Sequence, residues 1–490
     1  MSWSKRKGDE ALSILRRVAA WIYDRGGGAP IHRFLSTHRV PPEVGHTRKG
    51  WMYVLGQALV FVLIAQIVTG TALAMKYIPA PSHAWQSLQF INTEVVWGGF
   101  VRALHFFGAS AMVTLAFAHM ARVFLTGSFK FPRELSWITG IMLLFLVLVM
   151  AFTGQLLRWD RDGVATVEVA ALIVSRVPVL GSRLMELVLA GESLGGATLS
   201  QYFALHVVVV PLLILGLVGF HVYLVVRNGI SEPPRAGRPV DRRTYRSWYE
   251  KHKEEGNALY FPDAAWREMV FVLAVYGIVL GLAVLFGPNG PGAPPDPSLL
   301  EEVPKPDWFF LWYYTLIWYK PAALDALVLV WFPVLIFPAL MAIPLLFGEG
   351  ERAPSRRPWA LLAVSVTFVL WATLTVFGVR PHWVPQFATE PVPESLLVNA
   401  PEEAREGARI FYDRGCQYCH VAFDRGGTYG PDLTLAPLRM SREEITVRIV
   451  MGVRNMPSFR DVLPASEIES IIAYLQWAAE AGEGVTEEDP

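Results

Sequence analysis

The chain has 490 residues, 53% of them apolar and 18% charged, with 43 basic and 43 acidic side chains. A charged fraction below the roughly 25% of a soluble domain points to a membrane protein, and zero net charge removes the electrostatic ground for a nucleic-acid partner. Two cysteines in 490 residues exclude a disulfide framework.

The first 50 residues carry ten Lys or Arg. The opening "MSWSKRKGDEALSILRRVAAWIYDR" lacks the apolar stretch and small-residue cleavage site of a secretory signal. It reads as a basic amphipathic segment on the cytoplasmic membrane surface. Seven apolar runs follow, near 51–77, 97–125, 134–157, 199–226, 267–287, 323–347 and 359–379. Each is about 20 residues or more, enough to cross a bilayer. The loop "RNGISEPPRAGRPVDRRTYRSWYEKHK" carries eight Lys or Arg and "FGEGERAPSRRP" is also basic, whereas "GPNGPGAPPDPSLLEEVPKPD" has a single Lys. The bias toward basic cytoplasmic loops therefore predicts the N-terminus inside and, after seven crossings, the C-terminus on the periplasmic side of the inner membrane.

Between the spans, residues 166–190 are amphipathic and predict short helices on the outer surface. "WFFLWYYTLIWYK", following Pro306 and Asp307, predicts an outer interfacial helix. The expected fold class is all-α, a seven-helix transmembrane bundle followed by a small all-α domain. Its parts are the N-terminal segment 1–50, a four-helix bundle 51–230, a basic loop 231–266, a three-helix part 267–379, a stiff Pro-rich linker 380–400 and a C-terminal domain 401–490.

Four of the eleven histidines fall inside predicted spans: His105 and His119 in the second, His206 and His221 in the fourth. An ionisable side chain at membrane depth is a functional candidate by default. Fourteen residues is nearly four helical turns, so His105 and His119 share a face about 21 Å apart along the axis. His206 and His221, fifteen apart, share a face within the tolerance of a helix. The two spans run in the same direction, so the pairs face each other in two layers, the arrangement of bis-His ligation of two b-type haems. Gly56 and Gly70 in the first span, and Gly140 and Gly154 in the third, repeat at the same fourteen-residue interval. They leave room for a flat ring against the flanking helices; either pair alone would read as a helix-packing device.

Both cysteines lie in "CQYCH", residues 416–420, a C-x-x-C-H signature of c-type haem attachment. Cys416 and Cys419 would form the thioethers and His420 would ligate iron. Met456, ahead of Pro457, is the expected second axial ligand, with Met440 and Met451 as alternatives. A Met/His pair raises the reduction potential, which suits an electron acceptor. Zinc is the rival reading, but it lacks a fourth ligand at suitable spacing. Residues 401–490 hold nine Arg, no Lys and sixteen acids, a surface able to steer a basic partner.

"VRALHFFGASAMVTLAFAHMARVFLTGSFKFPRELSWITG" and "LHVVVVPLLILGLVGFHVYLVVRNGIS" resemble the cytochrome b/b6 family of quinol–cytochrome c reductases. The fifteen-residue interval resembles the b6 branch, and spans five to seven resemble its companion, subunit IV. "EEAREGARIFYDRGC", "YGPDL" and the closing helix resemble a class I cytochrome c. The resemblance implies that His105 and His206 hold an outer b haem and His119 and His221 an inner one. Arg102 and Arg122 would neutralise propionates, with Lys130 and Arg133 as weaker candidates. It further implies that the Pro431 carbonyl orients His420, and that Phe411 packs on Tyr474.

"PDWF" stands where the family has Pro-Glu-Trp-Tyr, implying a quinol site at Pro306, Asp307 and Trp308. Asp307 would accept a proton, or merely cap the following helix; Phe309 supplies no hydroxyl. Arg158 replaces a family Pro, and Val54 stands where the b6 branch has the cysteine of an extra linked haem. The implied activity is bifurcating quinol:cytochrome c oxidoreduction with proton translocation. The implied partners are a separate Rieske iron–sulfur protein, quinone, membrane lipid, a cytochrome c or terminal oxidase as acceptor, and a second copy of the chain. A membrane-anchor cytochrome of a dehydrogenase or hydrogenase, and a haem-based sensor, are the alternative readings.

Overall fold

The structure, a computed structural model, describes residue 17 and residues 37–296, 305–379, 389–427, 430–453, 456–460 and 462–483. Nearly all of the N-terminal amphipathic segment, and residues 380–388 of the linker, lie outside them.

The principal helices in chain order are α1 (Leu55–Ala74), α2 (Ala84–Thr93), α3 (Gly98–Leu125), α4 (Glu134–Leu156), α5 (Arg161–Ser175) and α6 (Gly181–Leu189). Next come α7 (Gly196–Asn228), α8 (Tyr245–Gly256), α9 (Tyr260–Phe286), α10 (Trp308–Tyr319), α11 (Leu327–Phe347) and α12 (Pro358–Val379). Five more, α13 (Glu402–Asp413), α14 (Cys416–Cys419), α15 (Ala436–Arg439), α16 (Arg442–Met451) and α17 (Ala465–Glu483), build the C-terminal domain.

Among the described residues, seven helices are long and apolar enough to span a membrane: α1, α3, α4, α7, α9, α11 and α12. They match the seven expected runs, with span five starting earlier, at Tyr260, and the basic loop folding into α8. Their outward faces carry exposed apolar side chains such as Leu212, Leu273 and Leu285, as a lipid-facing surface requires. The segment expected as short helices resolves into α5 and α6. α5 begins at Arg161 because the Asp160 carboxylate accepts the Gly163 N–H at 2.9 Å, a side-chain N-cap.

Inside the bundle α1 packs along α3, and α4 along α7; α9 leans on α1 and α3, α11 on α4, and α12 on α10. Among the described residues the strands form two two-residue pairs. β1 (Arg39–Val40) pairs antiparallel with β2 (Ala258–Leu259), tying the start of α9 to the segment before α1, and β3 (Val421–Ala422) with β4 (Arg425–Gly426).

α7 is not a uniform helix. Leu205–Val209 is a π-turn, closed by the Val210 N–H on the Leu205 carbonyl, and Pro211 follows. In a plain α-helix fourteen residues fall about 40° short of whole turns, whereas fifteen overshoot by about 60°. His206 and His221 would then be turned away from the faces that His105 and His119 define. A π-turn inserts one residue without advancing the helix, so the fifteen-residue interval behaves as fourteen. Pro211 has no N–H for an i−4 bond, which makes the site a cheap one for the insertion. The shared face is thus set by this turn rather than by helix tolerance.

In the C-terminal domain α13 crosses α17. A Cβ at Gly407 would run into the Ser470 carbonyl, so the two backbones touch there. Phe411 and Tyr474 meet one turn further on, with ring centroids 5.6 Å apart, and Arg414 grips Glu467 through two hydrogen bonds of 2.7 and 2.9 Å. Replacing Gly407 with Val forces the helices apart, at the 1–3 kcal/mol typical of overpacking. Limited proteolysis of the detergent-solubilised chain should release fragments of residues 401–490 at lower protease concentration in Gly407→Val than in the parent.

Candidate functional site

The four intramembrane histidines form the two expected layers. His105 and His206 face each other with ring centroids 6.2 Å apart and planes at 75°. Two metal–imidazole bonds of about 2.0–2.1 Å, added to the two ring radii, fill such a spacing. In the second layer the His119 ring lies against Gly56 of α1 and the His221 ring against Gly140 of α4.

Each glycine of the repeat sits behind one ligand candidate. A Cβ at Gly70 would lie 3.0 Å from His105 Cε1, and at Gly154 2.7 Å from His206 Cε1; at Gly56 and Gly140 the corresponding atoms of His119 and His221 are 3.4 Å away. The missing side chains therefore make room for the imidazoles themselves, in register with both layers.

Threonines immediately before three of these glycines orient the rings. Thr69, Thr139 and Thr153 lie 2.9, 2.8 and 3.0 Å from the Nδ1 atoms of His105, His221 and His206. Each threonine also donates its hydroxyl proton to a carbonyl four residues earlier, of Ala65, Leu135 and Val149. The hydroxyl oxygen must then accept from the ring, which puts the proton on Nδ1 and leaves Nε2 bare. A bare Nε2 with a hydrogen-bonded Nδ1–H is the form in which imidazole binds a metal. The residues present therefore fit an iron-centred group between the pairs. Sequence reasoning missed these threonines, although the repeated Thr-Gly dipeptide was there to be read; Leu55 takes the equivalent place before Gly56.

The basic candidates divide. Arg122 stacks on the Tyr53 ring, 3.9 Å from its centroid, and its Nε and Nη2 are buried without a hydrogen-bond partner. Such orphaned donors fit an anionic group. Arg102 is instead engaged by the Asn289 and Gly290 carbonyls and Asn92 Oδ1. Lys130 donates to the Phe347 and Glu349 carbonyls, and Arg133 to Gly229, Asn228 and the Tyr245 hydroxyl. These three clasp loops together. Val54 is buried at the foot of α1.

Pro306, Asp307 and Trp308 start α10 at the same end of the bundle as His105 and His206. The Asp307 N–H donates to Gln155 Oε1 at 3.2 Å, and Trp308 Nε1 to Ser110 Oγ at 3.3 Å. The Asp307 side chain does not cap α10. Its Oδ1 lies 3.1 Å from Arg158 Nη1, in a pair with side chains only 13% and 16% exposed. Breaking so buried a pair costs about 3–5 kcal/mol, against at most about 1 for a surface pair. Burial raises the Asp307 carboxyl above the usual aspartate range, with Arg158 opposing the rise.

In the C-terminal domain, Cys416 and Cys419 occupy one helical turn, and His420 Nδ1 lies 2.8 Å from the Pro431 carbonyl. A carbonyl can only accept, so Nε2 is again the free nitrogen. A Cβ at Gly430 would overlap the His420 ring. Burial pushes the Cys416 thiol up to about 12 and raises Cys419 as well. Met456 and Met440 pack against the domain core, whereas Met451 is 47% exposed with its sulfur against Arg460. Among the described residues no three His, Cys, Asp or Glu side chains cluster as a metal site.

The glycine contacts differ enough to test. Gly154→Ala, with its Cβ 2.7 Å from His206, should lower the b haem content below that of the parent by pyridine haemochrome quantification. Gly56→Ala, at 3.4 Å, should keep the parent content.

The family model described as Cytochrome b/b6/petB matches residues 43–229, and the one described as Cytochrome C oxidase, cbb3-type, subunit III matches residues 402–475. The chain is 36% identical over 224 residues to the menaquinol:cytochrome c reductase cytochrome b subunit of Geobacillus thermodenitrificans, covering 45% of this chain and 100% of that protein. It is 36% identical over 219 residues to cytochrome b6 of Acaryochloris marina, covering 45% and 100%. A chain of the structure titled "Hyperthermophilic respiratory Complex III" shares the fold, with a TM-score of 0.60 and 24% identity over 74% of this chain and 92% of that one. With its two layers of facing histidines and its C-terminal cytochrome c domain, the chain belongs to the cytochrome b/b6 family.

Proposed function

We propose that the chain is the haem-carrying subunit of a quinol:cytochrome c oxidoreductase that divides the two electrons of a quinol and couples the reaction to proton translocation. The observation that carries this reading is the buried Asp307 carboxylate, left uncommitted to helix capping, at the same end of the bundle as the His105–His206 layer. The relatives named as menaquinol:cytochrome c reductase subunits support it.

His105 with His206, and His119 with His221, would each hold one b haem through their Nε2 atoms. Arg122 would hold a propionate at the second layer. Cys416 and Cys419 would bind a c haem by thioethers, with His420 and Met456 as axial ligands. When bound, the b haems supply a one-electron path across the membrane toward an inner quinone, and the c haem a high-potential exit outside.

The chain's own residues do the rest. Asp307 takes a proton from a quinol hydroxyl on the outer side, while Pro306 and Trp308 shape the pocket rim. The basic loop and the Arg352–Glu232 pair lie on the cytoplasmic side, as the Lys and Arg bias requires. Both cysteines are committed to the c site, so the cluster that takes the first electron belongs to a separate Rieske subunit. The acceptor beyond the c haem is a soluble or membrane cytochrome c or a terminal oxidase, and the complex is a homodimer in the inner membrane.

Haem quantification of the purified complex should give two b and one c per chain. Asp307→Asn should retain that content but lose quinol-dependent acceptor reduction by about 10²-fold or more, the contribution of a positioned general base. One b haem per c haem would sink the two-layer reading. Full activity in Asp307→Asn would remove the carboxylate from the chemistry.

A further inference from the structure

We infer that Arg158 is a positioning residue for quinol oxidation, holding the Asp307 carboxylate ionised and aimed until it takes the proton. This rests on the reading of Asp307 as proton acceptor.

Two of the positions that depart from the family pattern, Arg158 for Pro and Asp307 for Glu, turn out to be partners. Arg158 Nη1 lies 3.1 Å from Asp307 Oδ1, and Arg158 Nε lies 3.4 Å from Asp160 Oδ2. This second contact is an ion pair without a hydrogen bond, since Arg158 Nε is buried with no hydrogen-bond partner. Its acid is held in place, because Asp160 Oδ1 accepts the Gly163 N–H and Oδ2 the Gly292 N–H, both at 2.9 Å, so Arg158 is drawn back electrostatically toward a fixed charge. Asp307 has no such second hold: among the described residues, Arg158 is the one hydrogen-bond donor to its carboxylate, and no cap bond ties that carboxylate to α10. The aspartate side chain is the part free to swing. Asp is one methylene shorter than the family's Glu, and the cation at position 158 gives the shorter carboxylate a defined rest position at the end of α4.

The electrostatics point the same way. The charged groups facing Asp307 are Arg158 at the end of α4, Asp160 in the following turn and Asp162 in the first turn of α5. Arg102 on α3 acts on Arg158 from the far side. Arg158 is thus the cation that acts on Asp307 itself, while Arg102 faces Asp160 and Arg161 faces Asp162; without Arg158 the Asp307 carboxylate would meet two neighbouring acids with no cation of its own. A carboxylate must be ionised before it can accept a proton, and a like-charged, desolvated site favours the neutral acid.

In the step itself a quinol yields two electrons to one-electron acceptors and two protons. Asp307 receives one proton as its carboxylate leaves Arg158, and the other departs on the side of the first acceptor. Neutralised, the carboxyl no longer attracts the guanidinium and can turn outward to release the proton.

The test is the pH profile of quinol-dependent acceptor reduction by the intact complex, with b and c haem content measured in parallel. Removing the cation raises the Asp307 carboxyl, so activity is lost at a higher pH as the medium is acidified. Arg158→Gln should move the acid limb upward by about one pH unit, a tenfold lower rate at a given acidic pH, and leave the alkaline plateau within a few-fold of the parent. Arg158→Pro, carrying the residue of the family pattern, should shift the limb likewise and serves if Arg158→Gln fails to load haem. Arg158→Lys should return the limb toward the parent position. Asp307→Asn should be slow with no limb, and Arg158→Gln combined with it should be no slower.

An unmoved acid limb in both Arg158→Gln and Arg158→Pro, with Asp307→Asn slow, would overturn the role of Arg158 alone. Parent activity in Asp307→Asn would instead overturn the underlying reading of Asp307.

Discussion

The structure turns on a proton held in one place. Three of the four intramembrane histidines keep their hydrogen on Nδ1 because a threonine hydroxyl, whose own proton goes to a helix carbonyl, has only a lone pair to offer them. Much of the bundle serves that arrangement. The glycines at fourteen-residue spacing let the rings approach the helix that bears the threonine, so the helix that orients an imidazole is the one that yields space to it. α1 orients His105 on α3, and α4 orients both histidines on α7, which accounts for the helix pairs that pack most intimately.

The same logic recurs in the small domain by other means. His420 is steered by a backbone carbonyl instead of a hydroxyl, and Gly430 supplies the clearance. A carbonyl cannot donate, so no intermediary is needed to settle the tautomer. In water-exposed loops a carbonyl is readily aimed. Inside a membrane helix every carbonyl is committed to the helix ladder, and a threonine is the least disruptive way to borrow one.

Much of this was legible in the residues. Span positions, the paired histidines and the glycine repeat follow from hydropathy and spacing, because each is a local or periodic property, whereas the Pro431 contact was implied only by the resemblance to a class I cytochrome c. Three features were not. The π-turn at Leu205–Val209 escapes a fixed period, since the helix changes its pitch to absorb one residue. The Arg158–Asp307 pair joins positions 149 residues apart, a proximity decided by how α4 and α10 dock. Arg102, expected to face a propionate, is drawn into the loop after α9 by the Asn289 and Gly290 carbonyls; a basic residue near a span end carries no mark of which acceptor it will find.

The π-turn also says something about what kind of object α7 is. A helix that can store a surplus residue as a bulge works as a vernier, with slack kept in one defined notch beside Pro211 and the remaining rungs true. Chain length between the two ligands and distance between the two layers are therefore separate variables. Loss of one residue in this interval can be taken up at the notch by returning it to plain α-helix, so the separation of the two histidine layers is guarded by helix geometry and not by a residue count.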